Sequence, residues 1–151
     1  MKFKRNTCID ILTTLDKEKI INFLHEHLDE FGDSKEDISK AMDYALTSAP
    51  MAGGFILQAI ENDEIKGVVV MNQTGMEGYI PENILVYIAV HRDERGKGLG
   101  KKLMKESMFY TKGDISLHVE PNNPAKYLYK KVGFETPYLE MRLKRKSFKL
   151  D

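Results

Sequence analysis

A glycine-rich stretch between an apolar run and an amphipathic run holds the residue types that could do chemistry. It reads AVHRDERGKGLGKKLMKE and covers residues 89–106. Glycines let a backbone approach a polyanion closely, and the free amides and dipole of a helix start attract negative charge. Six basic residues against two acidic ones lie in residues 92–105. The stretch therefore predicts a loop that binds phosphate.

Two common nucleotide-binding motifs do not fit this loop. A Walker A loop needs four residues before its Gly-Lys pair, whereas Gly96 and the pair Gly100-Lys101 enclose three, and Lys102 stands where Ser or Thr belongs. A dinucleotide fingerprint that starts at Gly96 meets Lys101 at the position of its third glycine. The spacing argues against ATP held by a Walker loop and against a dinucleotide.

The first elements that must position the loop are two predicted amphipathic helices. Apolar residues recur at helical spacing from Asp16, the predicted cap, through residue 31, and Gly32 ends the pattern. Ser34 and Asp37 resemble a capping box for a second helix, which stops before Pro50.

Strands dominate the middle of the chain. Residues 54–60 and 65–71 predict an antiparallel hairpin across a polar turn. The continuous apolar run of residues 84–90 is typical of a central strand that is covered on both faces. A helix from Leu99 toward Gly113 and a strand over residues 115–119 then predict a parallel crossover.

The last elements are a short helix and a closing strand. Asn123 is the predicted cap of a helix with Pro124 at its first position and Gly133 at its end. Residues 138–143 predict a last strand, and residues 144–151 form a basic tail that we expect to be frayed. The fold class is thus mixed α/β (α+β), with a mostly antiparallel central sheet flanked by helices.

Composition excludes several classes of protein. The 151 residues carry 23 basic and 23 acidic side chains, a balance that argues against nucleic-acid binding. One domain over residues 1–151 is expected, since no repeat or linker divides the chain. No apolar run exceeds seven residues and no signal peptide is evident, so we expect a cytoplasmic protein without a membrane span.

Metal and thiol chemistry are also not expected. The single cysteine, Cys8, excludes an internal disulfide and a thiol-based zinc cluster, and we expect it to be a buried small side chain. His25 and His27 are two residues apart on a predicted helix and so project to different faces, which argues against a metal site there.

Two motifs resemble the GNAT superfamily of N-acetyltransferases. Arg95, Gly98 and Gly100 match the superfamily's acetyl-CoA loop, which is Arg or Gln, two residues, Gly, one residue, and Gly or Ala. A second segment, residues 120–135, resembles the superfamily's Asn-x-x-Ala-x-x-x-Tyr-x-Lys-x-Gly-Phe pattern. Its matching residues are Asn122, Ala125, Tyr129, Lys131, Gly133 and Phe134. The resemblance covers residues 84–134, about a third of the chain.

The resemblance implies a place for acetyl-CoA as cosubstrate. The backbone of Ile88, Ala89 and Val90 is expected to pair with the pantetheine arm as an added strand, and Asn122 to contact its side. Backbone amides of the glycine loop are expected to hold the pyrophosphate. They belong to Arg95, Gly96, Lys97, Gly98, Leu99, Gly100 and Lys101.

The resemblance also implies the reaction. An amine attacks the acetyl carbonyl directly, a backbone amide of the central strand polarises that carbonyl, and Tyr129 acts as the general acid toward the leaving thiolate. The residue that some members of the superfamily use as a base falls at Ile84, so Glu82 is the first candidate. His91, His118, Glu120 and a chain of waters stay open as alternatives.

The acceptor is expected across the sheet from CoA, beside the two N-terminal helices, and is a small-molecule or peptide amine. Residues 16–43 hold nine acidic and four basic side chains, which is either an acidic mouth for a cationic amine or a solvated helix face. Residues 138–143 are a candidate homodimer interface. A non-catalytic CoA-binding regulator and a protein-interaction module are the alternative functions.

Overall fold

Five strands form one sheet with helices packed on both of its faces, as described for residues 1–145 in a computed structural model. Two short 3₁₀ turns, Asp29–Phe31 and Arg92–Glu94, lie between the main elements. In chain order the elements are β1 (Lys2–Asn6), α1 (Thr14–His27), α2 (Lys35–Ala45), β2 (Gly54–Glu61), β3 (Glu64–Gln73), β4 (Asn83–Val90), α3 (Leu99–Phe109), β5 (Ile115–Ser116) and α4 (Ala125–Val132).

The strand order is β1-β2-β3-β4-β5, with antiparallel pairing up to β4 and parallel pairing between β4 and β5. The predicted mixed fold class, the hairpin and the parallel crossover are confirmed. β4 lies inside the sheet between β3 and β5, and its residues contribute to the apolar clusters on both faces, as predicted. β5 differs from the prediction, since it contains two residues in place of the five expected. β1 was not predicted, because its sequence KFKRN is mostly polar and edge strands bury little.

The two N-terminal helices begin and end where local chemistry requires. Thr13, and not Asp16, caps α1: its hydroxyl accepts a hydrogen bond from the Asp16 amide at 3.0 Å. A threonine oxygen here satisfies a free amide of the first turn, whereas the Asp16 side chain stands inside the helix. Ser34 caps α2 as predicted, accepting from the Asp37 amide at 3.2 Å.

The sheet separates two apolar clusters. The first packs α1 and α2 on one face, and the second packs α3 and α4 on the other. Alternate residues of β3 divide between them, with Val68 and Val70 in the first cluster and Val69 and Met71 in the second. The two faces of β4 therefore look toward different helix pairs, and this separation defines the two sides of the candidate site.

The C-terminal segment corrects a prediction. Residues 138–143 form no strand, and the side chains of Tyr138, Leu139 and Met141 are 85%, 90% and 92% exposed. A strand needs a partner edge, and β5 offers only two residues next to β4. The predicted dimer interface in this segment stays a prediction. Residues 146–151 of the basic tail lie outside the described residues.

The structure also bears on the burial of Cys8 and on membrane-spanning helices. Cys8 is exposed in the turn after β1, so the expectation of a buried thiol was wrong, because this polar turn packs no side chain over it. In residues 1–145 no helix combines the length and apolar character that a bilayer crossing requires.

Candidate functional site

The outer edge of β4 is open over most of its length. β5 pairs with Asn83 and Ile84 only, and from Leu85 onward no described strand lies on that side. The register with β3 steps from Val70–Tyr87 to Met71–Leu85, so Val86 is an extra residue that bulges from β4. Bulges re-aim a strand and end its pairing, so β4 turns away from β5 at this point.

Backbone polarity along the open edge follows from one hydrogen bond. The His91 amide donates to the Lys66 carbonyl of β3 at 2.8 Å. Since successive residues of an antiparallel strand alternate their amides between the two sides, Ala89 faces β3, whereas Ile88 and Val90 face the open edge. Three residues are predicted to pair with a pantetheine arm. Ile88 and Val90 have backbone groups free for this pairing, whereas the backbone groups of Ala89 point toward β3.

The glycine loop follows β4 directly and opens α3. Gly96 and Gly98 have φ of 78° and 85°, the left-handed region that favours glycine. A Cβ at either position would meet nothing within 4 Å, so the backbone surface above both is open to a ligand. Gly98 is the N-cap of α3, and Lys102 makes the first amide bond back to it at 3.2 Å. The amides of residues 99–101 are therefore free to point outward.

Gly100 serves a different purpose from its two neighbours. An added Cβ would lie 3.0 Å from Leu128 Cδ2 of α4 and 3.8 Å from Val90 Cγ2. The absence of a side chain lets α3 and α4 approach closely beside the end of β4. In this loop, Gly96 and Gly98 are therefore required by the backbone conformation, and Gly100 is required by the close packing of α3 against α4.

An ion-pair cluster fastens the loop to the end of α1. Asp29 accepts hydrogen bonds from Arg92 at 2.6 and 3.1 Å and from Arg95 at 3.1 Å. Arg95 also donates to the His27 carbonyl at 2.7 Å. We call Asp29, Arg92 and Arg95 the Asp29 clamp. Hydrogen bonds from Arg92, and then from Arg95, hold the pKa of Asp29 below its usual value.

Because of the Asp29 clamp, part of the positive charge of the loop is already paired within the protein. Arg92 and Arg95 point to Asp29 and to carbonyls at the α1 C-terminus, where cations are stabilised by the helix dipole. Lys97 lies 3.7 Å from Glu94. The exposed Lys101, Lys102 and Lys105 on α3 therefore supply the unpaired positive charge near the free amides.

Two histidines stack beneath the clamp. The rings of His27 and His91 are 4.3 Å apart, and Phe23 covers His27 at 4.6 Å. Burial, followed by the nearby His91, lowers the pKa of His27, so this ring stays neutral around pH 7. His91 Nδ1 accepts from the Asp93 amide at 3.1 Å, which commits this candidate base to capping a turn. The exposed His25 projects elsewhere, as the spacing predicted.

Tyr129 lies on α4 in the same apolar cluster as Leu85 and Leu103. Its side chain is 8% exposed, and its ring packs edge-on to Phe134 at 5.9 Å. Burial raises the pKa of Tyr129 to about 12. Its hydroxyl has no hydrogen-bond partner within residues 1–145, so the group is a protonated donor that is still free to bind. Asn122 is exposed just before α4, and its neighbour Asn123 accepts from the Ala125 amide at 2.9 Å.

Glu82 lies at the opposite end of β4 from the glycine loop. Its side chain packs against Gly113, and its carboxylate accepts from the Asp114 amide at 3.4 Å. The structure does not bring Glu82 and the loop together. His118 and Glu120 are exposed after β5. Within residues 1–145 no group of three metal-ligating side chains occurs.

A small cleft of about 270 Å³ opens beside the start of β4, on the face covered by α1 and α2. Asn72 is one of its lining residues, and the Asn72 Oδ1 atom is buried and has no hydrogen-bond partner in the described part of the chain. Sequence reasoning missed it, since Asn72 simply follows the apolar run VVVM. The cleft is lined by Tyr44, Asn72, Gln73, Thr74, Met76, Ile84 and Val86.

A second cleft, of about 350 Å³, lies on the β1 side of α3. Acidic and basic side chains alternate around it, including Glu61, Glu94, Lys97 and Lys102. Lys97 and Leu99 of the glycine loop also line this cleft, so it borders the loop on the side of β1.

The family model described as an acetyltransferase (GNAT) domain matches residues 52–136, which is more than half of the chain. The chain belongs to the GNAT acetyltransferase family. The match spans β2 to α4 and so includes the open edge, the glycine loop and the segment of Tyr129. It leaves out β1, α1 and α2.

Solved structures of this family share the fold over nearly the whole chain. The aminoglycoside 6'-N-acetyltransferase of Acinetobacter haemolyticus is 15% identical, with a TM-score of 0.69 and coverage of 100% of both chains. An aminoglycoside N-acetyltransferase in complex with CoA is 15% identical, with a TM-score of 0.68 and 95% of both chains covered. The ribosomal-protein-alanine N-acetyltransferase of Brucella melitensis is 15% identical, with a TM-score of 0.61 and coverage of 95% and 98%. No curated protein sequence matches the chain.

Proposed function

We propose that this GNAT protein transfers an acetyl group from acetyl-CoA to a primary amine by direct attack in a ternary complex. The observation that carries the proposal is that the open edge of β4 is continuous with the glycine loop. A strand edge that is open from Leu85 runs directly into a loop whose Gly96 and Gly98 leave their backbone uncovered. An extended arm that ends in a diphosphate fits such a surface.

Binding of acetyl-CoA would use backbone groups first. The outward amides and carbonyls of Ile88 and Val90 would pair with the pantetheine arm as an added strand, and Asn122 would lie along its other side. The amides of residues 96–101 would hold the pyrophosphate at the start of α3, and Lys101 and Lys102 add positive charge there. The Arg95 amide already donates to the Arg92 carbonyl at 3.3 Å. Binding would thus depend on backbone amides and carbonyls that have no partner within the protein, so most side chains at the site would matter little.

The chemical step needs positioning and proton transfer. The amine nitrogen attacks the thioester carbonyl carbon, the carbon–sulfur bond breaks, and a proton leaves the nitrogen while the sulfur gains one. An outward amide of β4 is suited to polarise the carbonyl. Tyr129, kept protonated by a pKa of about 12, is proposed to donate to the departing sulfur.

Glu82 is the proposed acceptor of the proton from nitrogen. Its backbone borders the cleft, because its carbonyl accepts from the Thr74 amide at 2.9 Å. Its carboxylate faces Gly113 and Asp114. A water that bridges cleft and carboxylate is therefore part of the proposal.

Ligand-induced stabilisation tests the cosubstrate. Thermal unfolding is measured with acetyl-CoA, CoA, ATP and NAD in parallel. A ligand at 100 times its Kd adds about 2.7 kcal/mol to the free energy of unfolding. We expect acetyl-CoA and CoA to raise Tm and the other two to leave it unchanged. CoA binding without thiol release on any amine would identify the non-catalytic alternative, and no shift with any ligand would remove the assignment.

Two matched glycines test the loop itself. Gly98 and Gly78 share a left-handed φ, 85° and 76°, and neither has an atom within 4 Å of an added Cβ. Gly98→Ala and Gly78→Ala therefore impose similar backbone strain, of order 1–2 kcal/mol. We expect both to lower Tm alike and only Gly98→Ala to weaken acetyl-CoA binding, by about tenfold. Equal effects on acetyl-CoA binding would show that the loop is not the site.

A further inference from the structure

We propose that the cleft between α2 and the start of β4 selects a small monoamine with an apolar substituent, and that Asn72 positions the nitrogen of that amine. This inference rests on the proposed acetyl transfer and names its acceptor class. The cleft holds a buried polar atom without a partner, apolar walls, a small volume and a position beside the bulge of β4.

The unpaired atom calls for a hydrogen-bond donor. Asn72 Oδ1 is buried, and a buried acceptor left unpaired is destabilising. The two hydroxyl groups that line the cleft are committed elsewhere. The Tyr44 hydroxyl donates to the Gln73 carbonyl at 2.6 Å, and the Thr74 hydroxyl donates to the Pro81 carbonyl at 2.8 Å. Because Asn72 lines the cleft, a turn of its side-chain amide toward the cleft would let an N–H group of a bound amine satisfy this acceptor.

The walls and volume set the size of the ligand. Ile84 and Val86 of β4, Met76 and the ring of Tyr44 make the cleft mostly apolar. An apolar cavity of about 150 Å³ holds one benzene molecule, and drug-sized ligands occupy roughly 300–1,000 Å³. At about 270 Å³ the cleft matches an amine with one aromatic ring or a chain of about six carbons.

Charge separates this proposal from an acidic mouth. No carboxylate lines the cleft among the described residues. Two of the acidic residues near the N-terminal helices are engaged: Asp33 accepts from the Tyr87 hydroxyl at 2.6 Å, and Asp43 pairs with Lys17 at 2.6 Å. An uncharged apolar cleft favours the neutral form of an amine, which is the form that attacks a carbonyl. The cleft thereby performs part of the work that is otherwise assigned to a base.

The position of the cleft orients the nitrogen. Ile84 pairs with Ser116 of β5, and the open edge of β4 begins at the next residue. Val86, the bulged residue, lines the cleft and stands where that edge opens. An amine held at Asn72 therefore enters the site where the thioester carbonyl is proposed to lie against β4.

The experiment compares amines and two asparagine variants. Turnover with acetyl-CoA is measured for 2-phenylethylamine, hexylamine, spermidine and a lysine-containing peptide. We expect kcat/KM for the two monoamines to exceed that for the others by at least about tenfold, the effect of one well-placed contact. Preference for spermidine or the peptide would overturn the acceptor class while leaving acetyl transfer intact.

Asn72→Ala and the control Asn6→Ala separate positioning from structure. Asn6 is also buried but accepts from Gln58 Nε2 at 3.2 Å. We expect Asn72→Ala to raise KM for the monoamines about tenfold, with kcat within about threefold and Tm unchanged or higher, because an unpaired acceptor is removed. Asn6→Ala should lower Tm and leave KM unchanged. A fall in Tm with unchanged KM for Asn72→Ala would overturn the role.

Direct binding keeps the two proposals distinguishable. Titration of the protein with 2-phenylethylamine, followed by NMR shifts of residues 72–76, needs no acetyl-CoA. Saturable shifts in the wild type that are lost in Asn72→Ala support the cleft even if acetyl-CoA fails to bind. An absence of shifts overturns the cleft even if acetyl-CoA binds and is hydrolysed.

Discussion

The two ends of β4 build their parts of the site from different materials. At the C-terminal end, Gly96 and Gly98 expose backbone amides, and the Asp29 clamp holds the loop from outside. At the N-terminal end, a cleft of side chains surrounds one unpaired amide oxygen of Asn72. The first end is suited to a ligand that many proteins share, and the second to a ligand that is particular to this chain.

This difference explains why one end carries a motif and the other does not. A surface made of backbone requires glycine at fixed positions, because only glycine adopts the left-handed conformation without strain. A surface made of side chains accepts many combinations of residues with similar volume and polarity. Shared cosubstrate chemistry therefore leaves a spaced pattern in the sequence, whereas acceptor selection leaves none.

The largest expected effect concerns Tyr129 on α4 and tests whether this residue donates the proton to the leaving sulfur. Tyr129→Phe removes the proposed donor to sulfur and should lower kcat by about 100-fold or more. The matched control is Tyr127→Phe on the same helix, since Tyr127 is 60% exposed. Steady-state kinetics at saturating acetyl-CoA and amine decide it. A kcat within about threefold of the wild type for Tyr129→Phe would remove the general-acid role.

The next effect tests whether the cleft end also supplies a proton acceptor. Glu82→Gln should lower kcat by roughly 10- to 100-fold, less than the loss at Tyr129, because solvent also takes up protons. Glu77→Gln, in the exposed part of the same loop, is the control. An unchanged kcat in Glu82→Gln would transfer proton removal to water alone.

A smaller effect tests the clamp that is peculiar to the loop end. Asp29→Asn keeps a residue that tolerates the φ of 54° at this position but removes the charge shared by Arg92 and Arg95. We expect KM for acetyl-CoA to rise about tenfold as the loop loses its fixed position. Asp43→Asn breaks the distant pair with Lys17 and should leave KM unchanged. Tighter binding in Asp29→Asn would mean that the freed arginines reach the phosphates.

The smallest effect concerns the histidine under the clamp. The pKa of His27 in the folded protein lies below 6.5, so the unfolded chain takes up its proton first as pH falls. The contribution of His27 to stability is full above about pH 6.5 and is lost as pH falls from there toward the lowered folded pKa. Between pH 7.5 and 5.5 the Tm of the wild type should fall by a few degrees, with a smaller fall in His27→Phe.

The exposed neighbour on the same helix provides the comparison for that measurement. His25→Phe should keep the pH dependence of the wild type, because His25 is exposed on α1. Identical slopes for both variants would show that the stack of His27 on His91 does not govern the stability of the loop end.

Features that depend on local chemistry could be predicted from the sequence. Hydrophobic periodicity and cap residues placed α2, the β2–β3 hairpin and the helix after the glycine loop, because these elements are fixed by neighbours within a few residues. The spacing of Arg95, Gly98 and Gly100, with the segment of Tyr129, was enough to identify the family. Residues close together in the sequence determine backbone conformation, so a site built from backbone groups can be predicted from the sequence.

Which side chains meet depends on the tertiary structure. The pairing of Asp29 with Arg95, 66 residues away, and the unpaired Asn72 depend on how α1 and α2 lie across the sheet. The strand expected over residues 138–143 failed for the same reason, since a strand exists only where another offers its edge. The sequence pattern gives each residue's preferences, and long-range packing determines which of them are satisfied.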